Sequence, residues 1–130
     1  MWKSQLQSKI ALSTQEAEYS ALSQSLRTMI PLRSLLIEVT KAIAIDPALR
    51  TTIHCRAFED NQGAYLLATN HHISNRTKYY LVEWHWFWQH VTDHQLEIIK
   101  TSTKINRADG HTKGLVRELF ESIRKLNQGW

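Results

Sequence analysis

Two adjacent carboxylates, Glu59 and Asp60, stand where an apolar run ends in this 130-residue chain. The run "TIHCRAF" (52–58) is typical of a buried strand, and "NQGAYLLAT" (61–69) is typical of a short helix despite its glycine. In open α/β sheets, ligands bind at the carboxyl ends of the strands. The position of Asp60 therefore favours either a ligand site or a cap on the following helix.

A second pair of acids lies near the start of a predicted helix. Ser13 and Glu16 have the spacing of a capping box, which predicts a helix from about Thr14 and a capping role for Glu16. Helical periodicity places Glu18 on the apolar face of this helix. A buried acid needs a base, a metal ion or several hydrogen-bond donors. Glu18 is therefore either a functional residue or a residue tolerated at the edge of that face.

Asp109, in "NRADGHTKGL", is the third acid of interest, and its alternative role is a cap on the last helix. Glu18, Asp60 and Asp109 would form a site of hard oxygen ligands if the fold brought them together. Such a site binds Mg²⁺, and a pair of Mg²⁺ ions drives phosphodiester hydrolysis by activating water and stabilising the leaving oxygen. Sequence spacing alone does not decide whether the three acids converge.

The positions of these acids depend on an alternating set of predicted elements. The pattern predicts a strand, a long helix, a strand, a short helix, an aromatic helix, a strand and a last amphipathic helix (5–12, 14–39, 51–58, 61–69, 78–94, 96–102 and 115–126). Pro31 should kink or split the long helix. The alternation favours a single α/β domain over residues 1–130, with some parallel strand pairing.

Composition narrows the class of protein. The formal net charge of +4 favours a polyanionic partner, nucleic acid before a membrane surface. Cys55 is the only cysteine, so no intrachain disulfide forms and nothing indicates secretion. No apolar run has the length of a signal peptide or a membrane span. We therefore expect a soluble intracellular protein, cytoplasmic or nuclear, without a membrane partner.

The aromatic segment "WHWFWQH" permits two interpretations: a platform on which nucleic-acid bases stack, or a helix that packs its aromatic side onto the sheet. Helical spacing places Tyr80, Trp84, Phe87 and Val91 on one face. The same segment has closely spaced histidines that suggest a zinc site, although no further ligand follows in a recognised pattern (His85, His90 and His94).

Four segments carry a family resemblance: "WKSQLQSKIALSTQEAEYSAL", "EDNQGA", "NRTKYYLVEWHWFWQHV" and "RADGHTKGL". In this order they resemble the ribonuclease H region that closes the pol polyprotein of copia-type retrotransposons. The resemblance implies an RNase H-like fold, a five-stranded mixed sheet with flanking helices. It also implies cleavage of the RNA strand of an RNA–DNA hybrid with Mg²⁺, or Mn²⁺, held by Glu18, Asp60 and Asp109. Glu59 would be a bystander, and the rest of the polyprotein would be a partner.

The resemblance also implies differences from an intact relative. The family's fourth carboxylate lies upstream of the segment matching "WKS", so we expect the first two strands and their aspartate to be absent. The chain should then be inactive or weak, and the alternative is a catalytically silent remnant that binds nucleic acid or protein. Gly110 and His111 stand where the family has two apolar residues, which predicts a lost anchor for the last helix. The oligomeric state is left open.

Basic residues near these acids could contact the phosphates of a hybrid, whose 2′-OH groups would mark the RNA strand. The alternative is a solvated basic surface. The candidates are Arg76, Lys78, Lys100, Lys104, Arg107 and Lys113.

Overall fold

The computed structural model describes residues 10–43, 53–70, 85–112 and 114–129. Its elements are α1 (Thr14–Ile43), β1 (Arg56–Glu59), α2 (Gln62–Thr69), a 3-10 turn (His85–Phe87) leading into α3 (Trp88–Thr92), β2 (Glu97–Lys100), a second 3-10 turn (Thr103–Ile105), α4 (Asp109–Thr112) and α5 (Arg117–Gln128). The predicted strand at 5–12 lies mostly outside the described residues, and positions 10–12 are not in a strand. The first part of the predicted aromatic helix, 78–84, also lies outside them.

The two strands form a parallel pair, as the alternation of elements predicts. In the register, Arg56 is opposite Glu97 and Glu59 is opposite Lys100. Along β1 the side chains alternate, so that Ala57 and Glu59 are buried while the residues between them are exposed. The described residues therefore form an α/β arrangement with a two-stranded parallel sheet, in which both strands end at the same edge.

Helix α1 begins where the capping-box spacing predicts. The Glu16 N–H donates to Ser13 Oγ over 3.1 Å, and Glu16 Oε2 accepts from the Leu12 N–H over 2.9 Å. The carboxylate thus bonds one residue before the cap rather than the cap itself. The helix continues through Pro31, so the predicted split is wrong. Proline removes one N–H donor but leaves the bonds of the neighbouring turns available to hold the helix together.

The core lies between the first half of α1, the two strands, α2 and the aromatic segment. Its buried members from the helices and the aromatic segment are Tyr19, Leu22, Leu26, Ala64, Leu67, Ala68 and Phe87, and those at the strands are Cys55, Ala57, Leu96 and Ile98. Trp86, Trp88 and Val91 pack against this cluster. The interpretation of the aromatic segment as a packing element is therefore confirmed for the part that the structure describes.

Burial along α1 stops near Ile30. The apolar stripe predicted to residue 39 continues in the sequence, but Leu32, Leu36 and Val39 are exposed. Among the described residues, the apolar side chains of the helix that pack against the core cluster end at Ile30. The apolar stripe therefore extends beyond the buried part of the helix, because periodicity shows which side is apolar but not how far a partner extends.

The last two helices pack through a glycine. Ile123 of α5 is 2% exposed. A Cβ added at Gly110 of α4 would lie 2.8 Å from Ile123 Cγ2. Gly110 is thus the residue that lets the two helices approach, and the predicted loss of an apolar anchor stays a prediction.

Candidate functional site

Asp60 is the first residue after β1, at the carboxyl edge of the sheet. The cap of α2 is the next residue, Asn61, whose Oδ1 accepts from the Ala64 N–H over 3.0 Å. The alternative that Asp60 caps this helix is therefore wrong. Among the described residues, none donates a hydrogen bond to the Asp60 carboxylate.

Glu59 is only 6% exposed, on the same face of β1 as Ala57. Its Oε1 accepts from the Asn61 N–H over 2.9 Å. Burial is the main cause that raises the pKa of Glu59, and the negative charges of Glu18 and Asp60 raise it further. The Asn61 hydrogen bond and the Lys100 ammonium act in the opposite direction. The negative charges of two neighbouring carboxylates therefore act on Glu59 at this edge of the sheet.

Glu18 is exposed and Glu16 is buried, the reverse of the predicted faces. The buried side of α1 is centred on Tyr19, Leu22 and Ser23, and this rotation leaves Glu18 at its margin. From this margin, the negative charge of Glu18 contributes to the raised pKa of Glu59 at the end of β1. Glu18 therefore acts on the Glu59 carboxyl without the desolvation penalty that a buried acid would suffer.

Asp109 is the first residue of α4 and is 7% exposed. It does not cap the last helix, because α5 begins at Arg117 and its cap position is Val116. Within the described ranges, no three His, Cys, Asp or Glu residues lie close enough together to hold a metal ion. The structure brings Glu18, Glu59 and Asp60 to one edge but does not assemble Glu18, Asp60 and Asp109 into one ligand set.

The basic candidates have different environments. Lys100 Nζ donates to the backbone carbonyl of Asp60, although its side chain remains on the surface. Lys104 and Arg107 are exposed near β2 and α4. Arg76, Lys78 and Lys113 lie outside the described residues. Lys100 therefore contacts the strand end that bears Asp60, a contact that the sequence does not reveal.

The indole rings beside Phe87 are tied to the core. Trp86 Nε1 donates to Ser23 Oγ over 3.0 Å, and the Arg27 guanidinium lies 5.6 Å from the centre of the Trp86 ring. The rings of His85 and Trp88 are 3.6 Å apart between centroids. These contacts hold Trp86 and Trp88 against α1 and against the 3-10 turn, rather than presenting them as an open platform for bases.

The histidines of this segment have separate partners. His85 Nδ1 is hydrogen-bonded to the hydroxyl of Tyr19, whose pKa is raised by burial. His90 Nδ1 is 2.8 Å from Gln95 Oε1. His94, in the turn after α3, has a positive φ of 54°. The zinc interpretation has no support among the described residues, since no group of three metal-binding side chains is found there.

A cavity of about 500 Å³ lies at the opposite, amino end of the two strands. Its wall includes His54, Cys55 and Leu96 from the strand starts and Arg33 from α1. Burial raises the pKa of the Cys55 thiol, and the Arg33 guanidinium partly offsets this. The sequence pattern gives no sign of this cavity, because its wall comes from four separate segments. It is separated from Asp60 by the length of the strands.

Over nearly its whole length, the chain is homologous to a short segment of retrovirus-related Pol polyproteins from plant copia-type transposons. It is 36% identical over 125 residues to the retrovirus-related Pol polyprotein from transposon TNT 1-94 of Nicotiana tabacum, a match over 96% of this chain and 9% of that protein. The polyproteins from transposons RE1 and RE2 of Arabidopsis thaliana are 30% and 28% identical, covering 94% and 95% of this chain and 8% of each relative.

The chain thus spans less than a tenth of the length of these relatives. No family model matches it. No solved structure matches it either. In the described ranges, no helix combines the length and apolar character needed to cross a bilayer.

Proposed function

We propose that this chain is the RNase H-like segment of a retrotransposon Pol polyprotein, whose intact form hydrolyses the RNA strand of an RNA–DNA hybrid. The supporting observation is the carboxyl-edge position of Asp60. It follows a parallel strand, accepts no hydrogen bond from a described residue and is adjacent to Glu59, whose pKa the negative charge of Glu18 raises. In α/β sheets this edge is where ligands bind. The homology to Pol polyproteins makes a nucleic-acid substrate the natural expectation.

Carboxylates near Asp60 suit a hard divalent cation such as Mg²⁺, with Mn²⁺ as a substitute. In this proposal, Glu18 and Asp60 would hold the ion at the sheet edge, and Asp109 would complete the ligand set once α4 is brought to that edge. When bound, the ions activate water and stabilise the leaving oxygen of a phosphodiester. Because Mg²⁺ retains several water ligands, two carboxylates are enough for weak binding but not for a firmly held pair of ions.

The substrate would be held by its phosphates. Lys104 and Arg107 are exposed beyond the carboxyl end of β2, on the chain segment that leads to Asp109. Phosphate contacts of this kind fix the register of a nucleic acid and carry no sequence information. Arg76, Lys78 and Lys113 belong to the same proposal from the sequence alone. The rest of the polyprotein is the expected protein partner.

We expect weak cleavage, since the described residues do not form a set of three metal ligands. The test is cleavage of a labelled RNA–DNA hybrid with Mg²⁺ or Mn²⁺ by the full chain and by Asp60→Asn. A matched control is Asp93→Asn, which changes an exposed aspartate in the turn after α3, far along the chain from β1. Cleavage should disappear in Asp60→Asn and persist in Asp93→Asn. Equal cleavage by both variants would overturn the assignment of Asp60.

A catalytically silent nucleic-acid-binding remnant is the second candidate. The net charge of +4 and the exposed Lys104 and Arg107 favour it, as does the lack of an assembled ligand set among the described residues. Binding through phosphates falls steeply with salt and does not require Asp60. Hybrid binding that is salt-dependent, unchanged in Asp60→Asn and unaccompanied by cleavage would favour this candidate over the first.

A further inference from the structure

Both polar groups of one peptide unit, the unit joining Asp60 to Asn61, are bonded to side chains. Its N–H donates to Oε1 of Glu59 over 2.9 Å. Its carbonyl oxygen accepts from Nζ of Lys100. The first partner comes from β1 and the second from β2, and the two residues are opposite each other in the parallel register. The peptide is therefore held from both strands of the sheet.

Contacts to both the carbonyl oxygen and the N–H of a peptide unit fix the orientation of the whole unit. The unit is planar, so the positions of its oxygen and hydrogen determine the orientation of the whole plane. That plane sets ψ of Asp60 and φ of Asn61, and the latter residue then caps α2 through the Ala64 N–H. The direction of the Asp60 Cα–Cβ bond depends on the same backbone angles, so the carboxylate is aimed by the two contacts.

Glu59 and Lys100 differ in burial, and each has its own reason to bond to this peptide. A carboxylate as buried as Glu59 is unfavourable unless it is hydrogen-bonded, and its described bond is to this peptide. Lys100 is exposed and would be free to reach a phosphate if its ammonium were not directed back to the Asp60 carbonyl. Neither contact is required for the pairing of β1 with β2, which depends on backbone bonds.

We propose that Glu59 and Lys100 are positioning residues, which hold the Asp60–Asn61 peptide and so aim the Asp60 carboxylate at the candidate metal site. This inference rests on the proposed function, because it assigns Asp60 a ligand role. It replaces the sequence-based view of Glu59 as a bystander and gives Lys100 a role other than binding phosphate.

The direction in which cation affinity changes when Lys100 is replaced distinguishes a positioning role from a purely electrostatic one. If Lys100 acted on the site only through its charge, removing the ammonium would strengthen the binding of a divalent cation. If it aims Asp60, removing it weakens that binding. Two substitutions of Glu59 separate the effect of its charge from the effect of its hydrogen bond. Glu59→Gln removes the charge but keeps an acceptor oxygen, whereas Glu59→Met removes both and keeps a similar length.

The experiment measures Mn²⁺ affinity of the full chain by electron paramagnetic resonance. We expect Glu59→Met and Lys100→Met each to weaken binding by about tenfold, the lower end of what residues supporting metal ligands contribute. Glu59→Gln should bind more tightly than Glu59→Met. Matched controls are Glu97→Met and Arg56→Met, which break the 3.1 Å cross-strand ion pair at the start of the same strands. Both controls should leave the affinity unchanged.

Asp60→Asn distinguishes failure of this inference from failure of the proposed function. If Asp60→Asn does not weaken Mn²⁺ binding, the proposed site is wrong and the positioning role falls with it. If Asp60→Asn weakens binding but Lys100→Met leaves it unchanged or tighter, the site stands and the role of Lys100 is overturned. Equal affinities for Glu59→Gln and Glu59→Met would likewise overturn the role of the Glu59 hydrogen bond.

A second readout does not depend on a metal ion. Hydrogen exchange at the Asn61 N–H should be slow in the unmodified chain and in Glu59→Gln, and fast in Glu59→Met. The amide protons of Glu97 and Thr101, which donate to the Cys55 and Glu59 carbonyls across the two strands, report whether the sheet itself remains intact. Fast exchange confined to Asn61 supports the proposal. Unchanged exchange at Asn61 in Glu59→Met would contradict it.

Discussion

The described part of the chain contains two packing units of unequal size. The central unit comprises α1, β1, α2, α3 and β2, and it shares one cluster of buried apolar side chains. The C-terminal pair comprises α4 and α5, and its buried apolar residue, Ile123, lies outside that cluster. Asp60 and Glu18 belong to the central unit, whereas Asp109 belongs to the C-terminal pair. The residues of the candidate site therefore belong to two units that are stabilised by different packing contacts.

This difference explains why the acids are placed so differently. Asp60 follows a strand whose neighbour donates a hydrogen bond back to the Asp60 carbonyl. The position of Asp109 depends on a four-residue helix that packs against α5 through Gly110. A helix this short has little stability of its own, so its orientation relies on that contact. Assembly of a complete metal site would require the C-terminal pair to be held at the carboxyl edge of the sheet.

The largest expected effect is loss of the central core on Phe87→Ala. Phe87 is fully buried among residues of α1 and the strands, and removal of such a side chain destabilises a protein by about 3–5 kcal/mol. Because small domains have a total stability of about 5–15 kcal/mol, a large share of the free energy of unfolding should be lost and the transition should move to much lower denaturant. Chemical denaturation followed by circular dichroism measures the effect.

The matched control for Phe87→Ala is Phe120→Ala in the C-terminal pair. Phe120 is 49% exposed, so its truncation should change the free energy of unfolding by less than about 1 kcal/mol. Similar losses of unfolding free energy in Phe87→Ala and Phe120→Ala would show that the two units share one core in solution. The distinction between a central unit and a C-terminal pair would then be wrong.

An intermediate effect is expected for Gly110→Ala. Alanine is favoured over glycine within a helix by about 1 kcal/mol. The added Cβ, however, would lie 2.8 Å from Ile123 Cγ2, and overpacking of this kind destabilises by about 1–3 kcal/mol. The net change should therefore be a modest destabilisation confined to α4 and α5, measured by hydrogen exchange of their amide protons.

Two variants test the cause of that effect. Gly114→Ala should be harmless, because an added Cβ there meets no described atom within 4 Å. Ile123→Leu removes the Cγ2 methyl, so combining it with Gly110→Ala should restore part of the lost protection. Stabilisation by Gly110→Ala alone would show that helix propensity outweighs the contact, and that the pair is less closely packed than described.

Local signals in the sequence predicted much of the central unit. The Ser13–Glu16 spacing located the start of α1, because a capping box involves neighbouring residues only. The apolar runs located β1 and β2, and the alternation of elements predicted their parallel pairing. The same reasoning placed Asp60 after a strand end. These features depend on short stretches of chain, so they can be derived from the sequence without a partner segment.

Features that depend on distant partners could not be predicted. The exchange of burial between Glu16 and Glu18 reflects which side of α1 meets the aromatic segment, and periodicity leaves that rotation uncertain by a residue or two. The contact of Gly110 with Ile123 joins two helices across a loop. The bond from Lys100 to Asp60 depends on the register of two strands far apart in the sequence.

The smallest expected effect concerns the exposed half of α1. Leu36 is 43% exposed, so Leu36→Ala should change the free energy of unfolding by less than about 0.5 kcal/mol. Leu26 lies on the same helix before Pro31 and is fully buried, so Leu26→Ala should destabilise by about 2–5 kcal/mol. The two substitutions delete the same atoms from one helix, and the difference between them measures how far the core extends along it. Comparable losses would mean that a partner covers the second half of α1 in solution. Sedimentation at several protein concentrations would then decide between a second copy of the chain and a contact within one molecule.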